Sequence, residues 1–148
     1  PANVNEVVGS SVMYFRTRIP RNVTLSYNGL AIAPVQAMIN GALFEWVVEN
    51  LLKNSLDALQ GQGEIDVRIS DDLEWVYIDV KDTGKGIPKS NFKRIFEPGF
   101  TTKTRGWGLG LSLSRRIIEE YHKGRIYVVD SEPGRGTTIR IALKRLYA

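Results

Sequence analysis

The sequence predicts an α+β fold of two layers, in which a mixed or antiparallel sheet of about five strands packs against about three helices. Three observations lead to this fold class. Two long segments repeat apolar side chains at helical spacing, several short segments alternate apolar with polar residues, and the two kinds of segment follow each other in irregular order. The length of 148 residues fits one domain with a sizeable core.

The first part of the chain is predicted to contain two helices and one strand. Residues 4–18 favour a first helix, although Gly9 weakens it, and residues 22–27 are rich in the β-branched and aromatic side chains of strands. Residues 41–59 form the clearest helix, and two glycines follow it. Its apolar face consists of Phe44, Val47, Val48, Leu51, Leu52, Ser55, Leu56 and Leu59.

Two alternating segments in the middle of the chain predict an antiparallel hairpin. Residues 64–70 direct Ile65, Val67 and Ile69 to one side, and residues 74–81 do the same with Val76, Ile78 and Val80. The acidic link between the two segments is only three residues long, which suits a hairpin connection.

The remaining chain predicts a long connection, a helix and two final strands. Residues 82–108 are rich in Gly, Pro and Thr, with one turn of helix near residues 89–95. A helix is predicted from about residue 109 to 122, and strands at residues 125–131 and 137–144. Long irregular connections inside a small domain are usually functional lids or disordered, so we expect function here.

Composition excludes several classes of site. The chain has no Cys, which excludes a disulfide scaffold, a thiolate zinc site and a cysteine nucleophile. A single His, His122, leaves no cluster of several histidines for a metal. The uncharged stretch of residues 28–44 contains polar residues, Gly and Pro, so we do not expect a membrane span. We expect a soluble intracellular domain.

Positive charge is concentrated in one part of the sequence. Residues 81–116 contain nine Lys or Arg against Asp82 and Glu97, a local charge of +7, whereas the whole chain carries +4. Such a region suits a phosphate-bearing ligand, but a solvated surface or a nucleic-acid patch would explain it equally well.

A polar stripe borders the apolar face of the second helix. Asn50, Asn54 and Asp57 follow the spacing i, i+4 and i+7, which places them on one side of a helix. The carbonyl oxygen of an Asn side chain is a suitable ligand for Mg²⁺ that keeps waters and substrate phosphates. An ordinary boundary stripe facing water is the alternative interpretation.

Three glycine-containing loops also indicate a ligand site. Asp82 comes where a strand ends, so its carboxylate can accept a hydrogen bond from an exocyclic amine, while Gly84 and Gly86 let the backbone approach a flat ring. An ordinary turn is the alternative. A second run, Gly106, Gly108 and Gly110, precedes a helix and could hold phosphate. The third pair, at positions 134 and 136, could be only a hairpin turn.

Taken in order, these segments resemble the ATP-binding fold shared by DNA gyrase, heat-shock chaperone ATPases, mismatch-repair ATPases and sensor histidine kinases. The segment ENLLKNSLDAL resembles the N box, DTGKGI the first glycine box, IFEPGFTT the F box, GWGLGLSLS the second glycine box and EPGRGTT the third. The resemblance covers residues 35–144 and is closest to the catalytic ATP-binding domain of a two-component sensor histidine kinase. It implies a histidine-kinase-like ATPase fold.

The resemblance also implies roles for individual residues. Asp82 would accept the adenine amino group, Asn54 would hold Mg²⁺, and Asn50 would position the metal or the phosphates. Residues 101–110 would form a lid over the triphosphate. The other residues expected at the nucleotide site are Asp57, Ala58, Gly84, Gly86, Ile87, Phe96, Thr101, Thr102, Lys103, Arg105, Gly106, Gly108, Leu109, Gly110, Leu111 and Thr137.

The sequence departs from the family pattern in places. Hydrolytic relatives carry a Glu where this chain has Asn50, and Glu49 lies about 100° away around the helix, so no water-activating carboxylate is expected. Asp57 stands where many sensor kinases have Lys or Arg, so we assign the phosphate contact to Lys103 or Arg105.

The single histidine is not expected to accept phosphate. His122 matches the His of the family's H-G-G turn, and as a cation it would suit the end of a helix. The phosphate-accepting His would lie elsewhere.

The implied function is that of the ATP-binding half of a histidine autokinase. It would bind Mg-ATP and transfer the γ-phosphate to a His on a dimerisation domain of the same protein, which then serves a response-regulator receiver domain. We expect one catalytic domain over residues 1–148, cut from a longer cytoplasmic or membrane-anchored protein, with residues 1–20 either beginning the domain or continuing from that His-bearing hairpin. Neither nucleic acid nor direct membrane contact is expected.

Three alternatives remain open. One is a hydrolytic ATPase, recognisable by steady phosphate release. Another is a nucleotide-binding or interaction module without catalysis, which would bind ATP yet never label a His. The third is a nucleic-acid binder, whose affinity would depend steeply on salt and survive Asp82→Asn.

Overall fold

A computed structural model describes residues 1–29, 35–98 and 110–146. In those ranges a five-stranded sheet lies under three α-helices. The elements in chain order are β1 (Ala2–Asn3), α1 (Val4–Arg16), β2 (Val23–Asn28), β3 (Gln36–Ala37), α2 (Gly41–Leu59), β4 (Gly63–Asp71), β5 (Trp75–Asp82), α3 (Gly110–Arg116), β6 (Arg125–Glu132) and β7 (Gly136–Lys144). Two 3-10 turns, Lys89–Asn91 and Arg94–Phe96, follow β5, and a π-helical turn, Ile117–Tyr121, continues α3.

The sheet is mixed, and its strand order is β2-β4-β5-β7-β6. β2 runs parallel to β4, and the other three pairings are antiparallel. The predicted α+β class and the β4–β5 hairpin are confirmed. The sequence did not predict the small antiparallel ribbon of β1 and β3, because two residues per strand are too few to show alternation.

The core lies between the helices and one face of the sheet. The apolar side chains of β4 and β5 that the alternation assigned to one face are all buried, as is the predicted face of α2 apart from half-buried Leu56. The opposite face of the sheet carries polar and charged side chains, including Asp79 and Arg140. Within the described ranges, no helix combines the length and hydropathy that crossing a bilayer requires.

Helix α1 packs into the same core. Val4, Val8, Val12 and Phe15 are buried in one cluster with the sheet and α2. These side chains recur at i, i+4, i+8 and i+11, which is one helix face. Gly9 does not interrupt the helix.

His122 ties the end of the third helix to the start of the second. Its Nδ1 lies 3.0 Å from the carbonyl oxygen of Ile117, and its Nε2 accepts the backbone N–H of Asn40 at 3.1 Å. A ring nitrogen that accepts a hydrogen bond must carry a lone pair, so the imidazole is neutral with its proton on Nδ1. The ring is therefore buried as a bridge between two backbone groups and is not a charged cap on the end of the helix.

Candidate functional site

Asp82 is a carboxylate on the core side of the sheet. It ends β5 in the same register as Val76, Ile78 and Val80, so its side chain points toward the helices, and only 5% of the residue is exposed. Thr137 of β7 lies directly opposite on the neighbouring strand and is also buried. A charged group at the end of an inward-facing apolar row requires polar partners.

Three groups donate hydrogen bonds to the Asp82 carboxylate. The backbone N–H of Gly84 donates at 2.9 Å, and the Ser55 hydroxyl and the Thr137 backbone N–H donate as well. Burial raises the pKa of the Asp82 carboxyl above its usual value, and these three bonds partly offset that rise. Because an ionised carboxylate offers about four acceptor positions, room remains for one further donor.

The loop after β5 lies directly on the last turn of α2. The carbonyl oxygen of Ala58 accepts the N–H of Lys85 at 3.1 Å, and a Cβ at Gly84 would lie only 2.6 Å from that same oxygen. Glycine is therefore required at position 84 by close backbone approach. This contact brings the predicted site residues Ala58, Gly84 and Asp82 together.

The same loop is held from its other side by the turn between β6 and β7. Gly134 donates its N–H to the carbonyl of Lys85 at 2.7 Å, and Ile87 donates its N–H to Ser131 Oγ at 2.7 Å. Gly86 has a φ of +75°, and a Cβ there would overlap the carbonyl of Glu132. The loop and the turn thus form one wall beside Asp82.

We expect Gly86→Ala to destabilise the domain more than Gly134→Ala. Both glycines have positive φ, +75° and +83°, but nothing lies within 4 Å of a Cβ built at Gly134. Both variants carry the same kind of backbone strain. The difference between their free energies of unfolding therefore measures the overlap with Glu132, which we expect to be about 1–3 kcal/mol. Urea unfolding of the two variants provides the measurement, and equal midpoints would show that the loop does not dock on the turn.

The polar stripe of α2 borders the start of α3. Asn50 donates its Nδ2–H to Ser114 Oγ at 3.0 Å, and its Oδ1 lies 2.8 Å from where a Cβ on Gly110 would be. Ser114 is 0% exposed. Asn54, one turn further along α2, is half-buried with a buried Nδ2 atom, whereas Asp57 is exposed.

The other predicted site residues divide into two groups. Phe96 is buried, and Ile87 and Leu111 pack against the core. Seven predicted residues lie outside the described part of the chain: Thr101, Thr102, Lys103, Arg105, Gly106, Gly108 and Leu109. Most of the predicted lid therefore lies outside it too.

The side chains at the site suit a metal ion that is bound mainly by the phosphates of a ligand. In the three described segments no group of three or more His, Cys, Asp or Glu side chains could hold a metal ion. Mg²⁺ that arrives on phosphates needs only one or two protein oxygens and keeps several waters. The Asn54 amide, half-buried on α2, meets that requirement.

Three serines at the site were not assigned a role from the sequence. Ser55 bonds to Asp82, Ser114 to Asn50, and Ser131 to the loop after β5. The one available signal was Ser55, a hydroxyl within an otherwise apolar helix face. The partners of Ser114 and Ser131 are distant in sequence, so no local pattern shows them.

The profile of the histidine kinase-, DNA gyrase B- and HSP90-like ATPase family matches residues 40–146. Sporulation kinase A of Bacillus subtilis is 43% identical over 96 residues, covering 65% of this chain and 16% of that protein. Nitrogen regulation protein NtrY of Azorhizobium caulinodans is 33% identical over 152 residues, covering 96% of this chain and 19% of that protein. The chain thus spans less than a quarter of each of these relatives.

Solved structures share the whole fold. The catalytic domain of histidine kinase ThkA, in a nucleotide-free form, superposes with a TM-score of 0.83 and 27% identity, covering 97% of this chain and 94% of that one. ThkA in complex with the response regulator TrrA matches with a TM-score of 0.83 and 26% identity, over 98% of this chain and 41% of that one.

Proposed function

Since this chain belongs to the histidine kinase-, DNA gyrase B- and HSP90-like ATPase family, we propose that it binds Mg-ATP and passes the γ-phosphate to a protein histidine. The observation that carries the proposal is the buried Asp82 carboxylate with room for one more donor. An adenine amino group supplies such a donor. The family membership and the similarity to sensor kinases support the nucleotide and the reaction.

The phosphates would extend from Asp82 toward the polar stripe of α2. We assign Mg²⁺ to the carbonyl oxygen of Asn54, with Asn50 beside it. When bound, the metal neutralises charge on the phosphates. Lys103 or Arg105 would supply the cationic contact that Asp57 cannot, and residues 101–110 would close over the triphosphate.

Asn50 favours phosphoryl transfer over hydrolysis. An amide cannot act as the carboxylate base that orients water in hydrolytic relatives, and the Asn50 amide is hydrogen-bonded to Ser114. Phosphoryl transfer needs positioning and charge stabilisation more than covalent chemistry by the protein, so an accepting His can complete the reaction.

The accepting His would belong to another part of the protein. His122 is buried between Ile117 and Asn40, so it does not accept phosphate. We propose a His-bearing dimerisation domain as the direct partner and a response-regulator receiver domain as the downstream one. ThkA, a similar kinase, has been solved with a response regulator. We place the domain in the cytoplasm, because its proposed substrate is ATP.

The proposal is tested by supplying ATP labelled in the γ-phosphate to the chain alone and to the full-length parent protein. The chain alone should bind nucleotide and release almost no phosphate, and the parent should acquire acid-labile phosphohistidine. Steady phosphate release by the chain alone would instead indicate a hydrolytic ATPase. Binding without any labelled His in the parent would indicate a module without catalysis.

Nucleotide affinity should fall as the pH is lowered toward the raised pKa of the Asp82 carboxyl. The amino group needs an ionised acceptor, and the pKa of Asp82 is raised by burial, so protonation starts at a higher pH than for an exposed Asp. Calorimetric titration with an ATP analogue at several pH values measures the effect.

The raised pKa of Asp82 should also affect the stability of the domain, which should rise as the pH falls, whereas nucleotide affinity should decrease. A carboxyl whose pKa is raised in the folded state contributes stability that is fully present below its unfolded pKa and is lost as the pH rises through the folded value. The free energy of unfolding of the wild type, relative to Asp82→Asn, should therefore increase as affinity falls. Parallel changes in affinity and stability would contradict the assignment.

A further inference from the structure

One hydroxyl connects three segments around Asp82. Ser131, near the end of β6, lies opposite Thr137 in the β6–β7 register. Its Oγ lies 2.7 Å from the N of Ile87, 2.9 Å from the carbonyl oxygen of Gly136 and 2.8 Å from Thr137 Oγ1. Thr137 is in turn the cross-strand neighbour of Asp82, on the same face of the sheet.

The hydrogen positions in this cluster follow from counting donors and acceptors. A serine hydroxyl has one hydrogen and two lone pairs. The Ile87 N–H can only donate and the Gly136 carbonyl can only accept, so Ser131 accepts from the first and donates to the second. Its remaining lone pair can only accept, so the hydrogen of Thr137 Oγ1 points to Ser131.

The Thr137 hydroxyl can act only as an acceptor toward other groups. Because its single hydrogen is directed to Ser131, it has only lone pairs to offer to any other group. The neighbouring Asp82 carboxylate also only accepts when ionised. The two side chains therefore present acceptors alone to the position where a ligand donor would bind.

We propose that Ser131 is a positioning residue for base specificity: it holds the Thr137 hydroxyl as an acceptor beside Asp82, so that the site selects a purine with an amino group over one with a carbonyl. The inference rests on the proposed function, because it assumes that Asp82 contacts the base. An amino-purine donates toward both side chains. A carbonyl in its place would face acceptors only, and buried unmatched polar groups are costly.

Removal of the Ser131 hydroxyl should relax this selection. In Ser131→Ala the Thr137 hydroxyl is released and can rotate to donate to a carbonyl. Inosine triphosphate has a carbonyl in place of the amino group of ATP and a hydrogen on the adjoining N1. The ratio of the affinities for ATP and inosine triphosphate should fall by about 3- to 10-fold, the effect of one neutral hydrogen bond. Ser131→Thr keeps a hydroxyl and should restore the ratio.

The ratio separates this role from simple support of the loop. A loosened Ile87 segment would lower affinity for both nucleotides by the same factor. We therefore measure non-hydrolysable ATP and inosine triphosphate analogues on the 148-residue chain by calorimetry, with Ser26→Ala on the outward face of β2 as the matched control. A double-mutant cycle adds Thr137→Val alone and with Ser131→Ala.

The measured affinity ratios distinguish three cases. If Ser131 acts through Thr137, Ser131→Ala lowers the ratio in the wild-type background and changes it no further in Thr137→Val. Equal losses for both nucleotides, or a further change in the Thr137→Val background, overturn this inference alone. Failure of the wild type to bind either nucleotide overturns the proposed function and this inference with it. Should Ser131→Ala not fold, Ser131→Cys provides the same comparison, because a thiol is a weak donor and acceptor.

Discussion

Replacing Asp82 by Asn is expected to weaken binding of an ATP analogue by about 10- to 100-fold, the effect of losing a hydrogen bond to a charged group. The Asn side chain keeps the size of Asp but offers one carbonyl oxygen to Ser55, Gly84 and Thr137, which already donate to this position. Its amide nitrogen would turn a donor toward the adenine amino group. Calorimetry at neutral pH measures the loss.

Asp79→Asn is the matched control for this change. Asp79 lies three residues earlier on the same strand but on the outward face, where Arg140 pairs with both of its oxygens at 2.7 and 2.9 Å. Its loss should alter stability and leave nucleotide affinity unchanged. If Asp79→Asn weakened binding as much as Asp82→Asn, the site would not lie on the core side of the sheet.

Asn54→Ala should remove the dependence of nucleotide binding on Mg²⁺ and lower phosphoryl transfer in the full-length parent by about 100-fold or more. Asn54 is the proposed protein ligand of the metal, and a metal that neutralises phosphate charge contributes several kcal/mol to the transition state. Titrations of an ATP analogue with and without Mg²⁺ give the first readout, and phosphohistidine formation gives the second.

Lys53→Ala serves as the control on the same helix. Lys53 is the exposed neighbour of Asn54, so its removal leaves the half-buried stripe of α2 in place. We expect the Mg²⁺ dependence of this variant to match that of the wild type. Equal affinities for the wild type and Asn54→Ala under both conditions would contradict the metal assignment.

The fold was predictable where the apolar pattern is regular. The β4–β5 hairpin and helix α2 follow from periods of 2 and 3.6 that extend over many residues. The parallel pairing of β2 with β4 could not be predicted. It depends on how α2, which connects the two strands along the chain, packs on the sheet. The neutral state of His122 also could not be read from sequence, since its partner Asn40 lies 82 residues away.

The sequence predicted the central residue of the site, Asp82, but not the serines that hold its neighbours in place. Asp82 follows from a family motif, and its place in an inward-facing apolar row marks it independently. The support that Ser114 gives to Asn50 and Ser131 gives to Ile87 depends on which segments, distant in sequence, meet in the fold. Such contacts arise only once the sheet order is set, so no local pattern encodes them.

The most direct test of the central claim is a backbone amide map by nuclear magnetic resonance, recorded while an ATP analogue is added with Mg²⁺. The claim is that the base lies against Asp82, beside the wall that the loop after β5 and the β6–β7 turn form together. We predict that the amide signals of Gly84, Ile87 and Thr137 shift together and saturate together. Saturable shifts on the outward face, at Tyr77 and Arg140, with these three amides unmoved would contradict it.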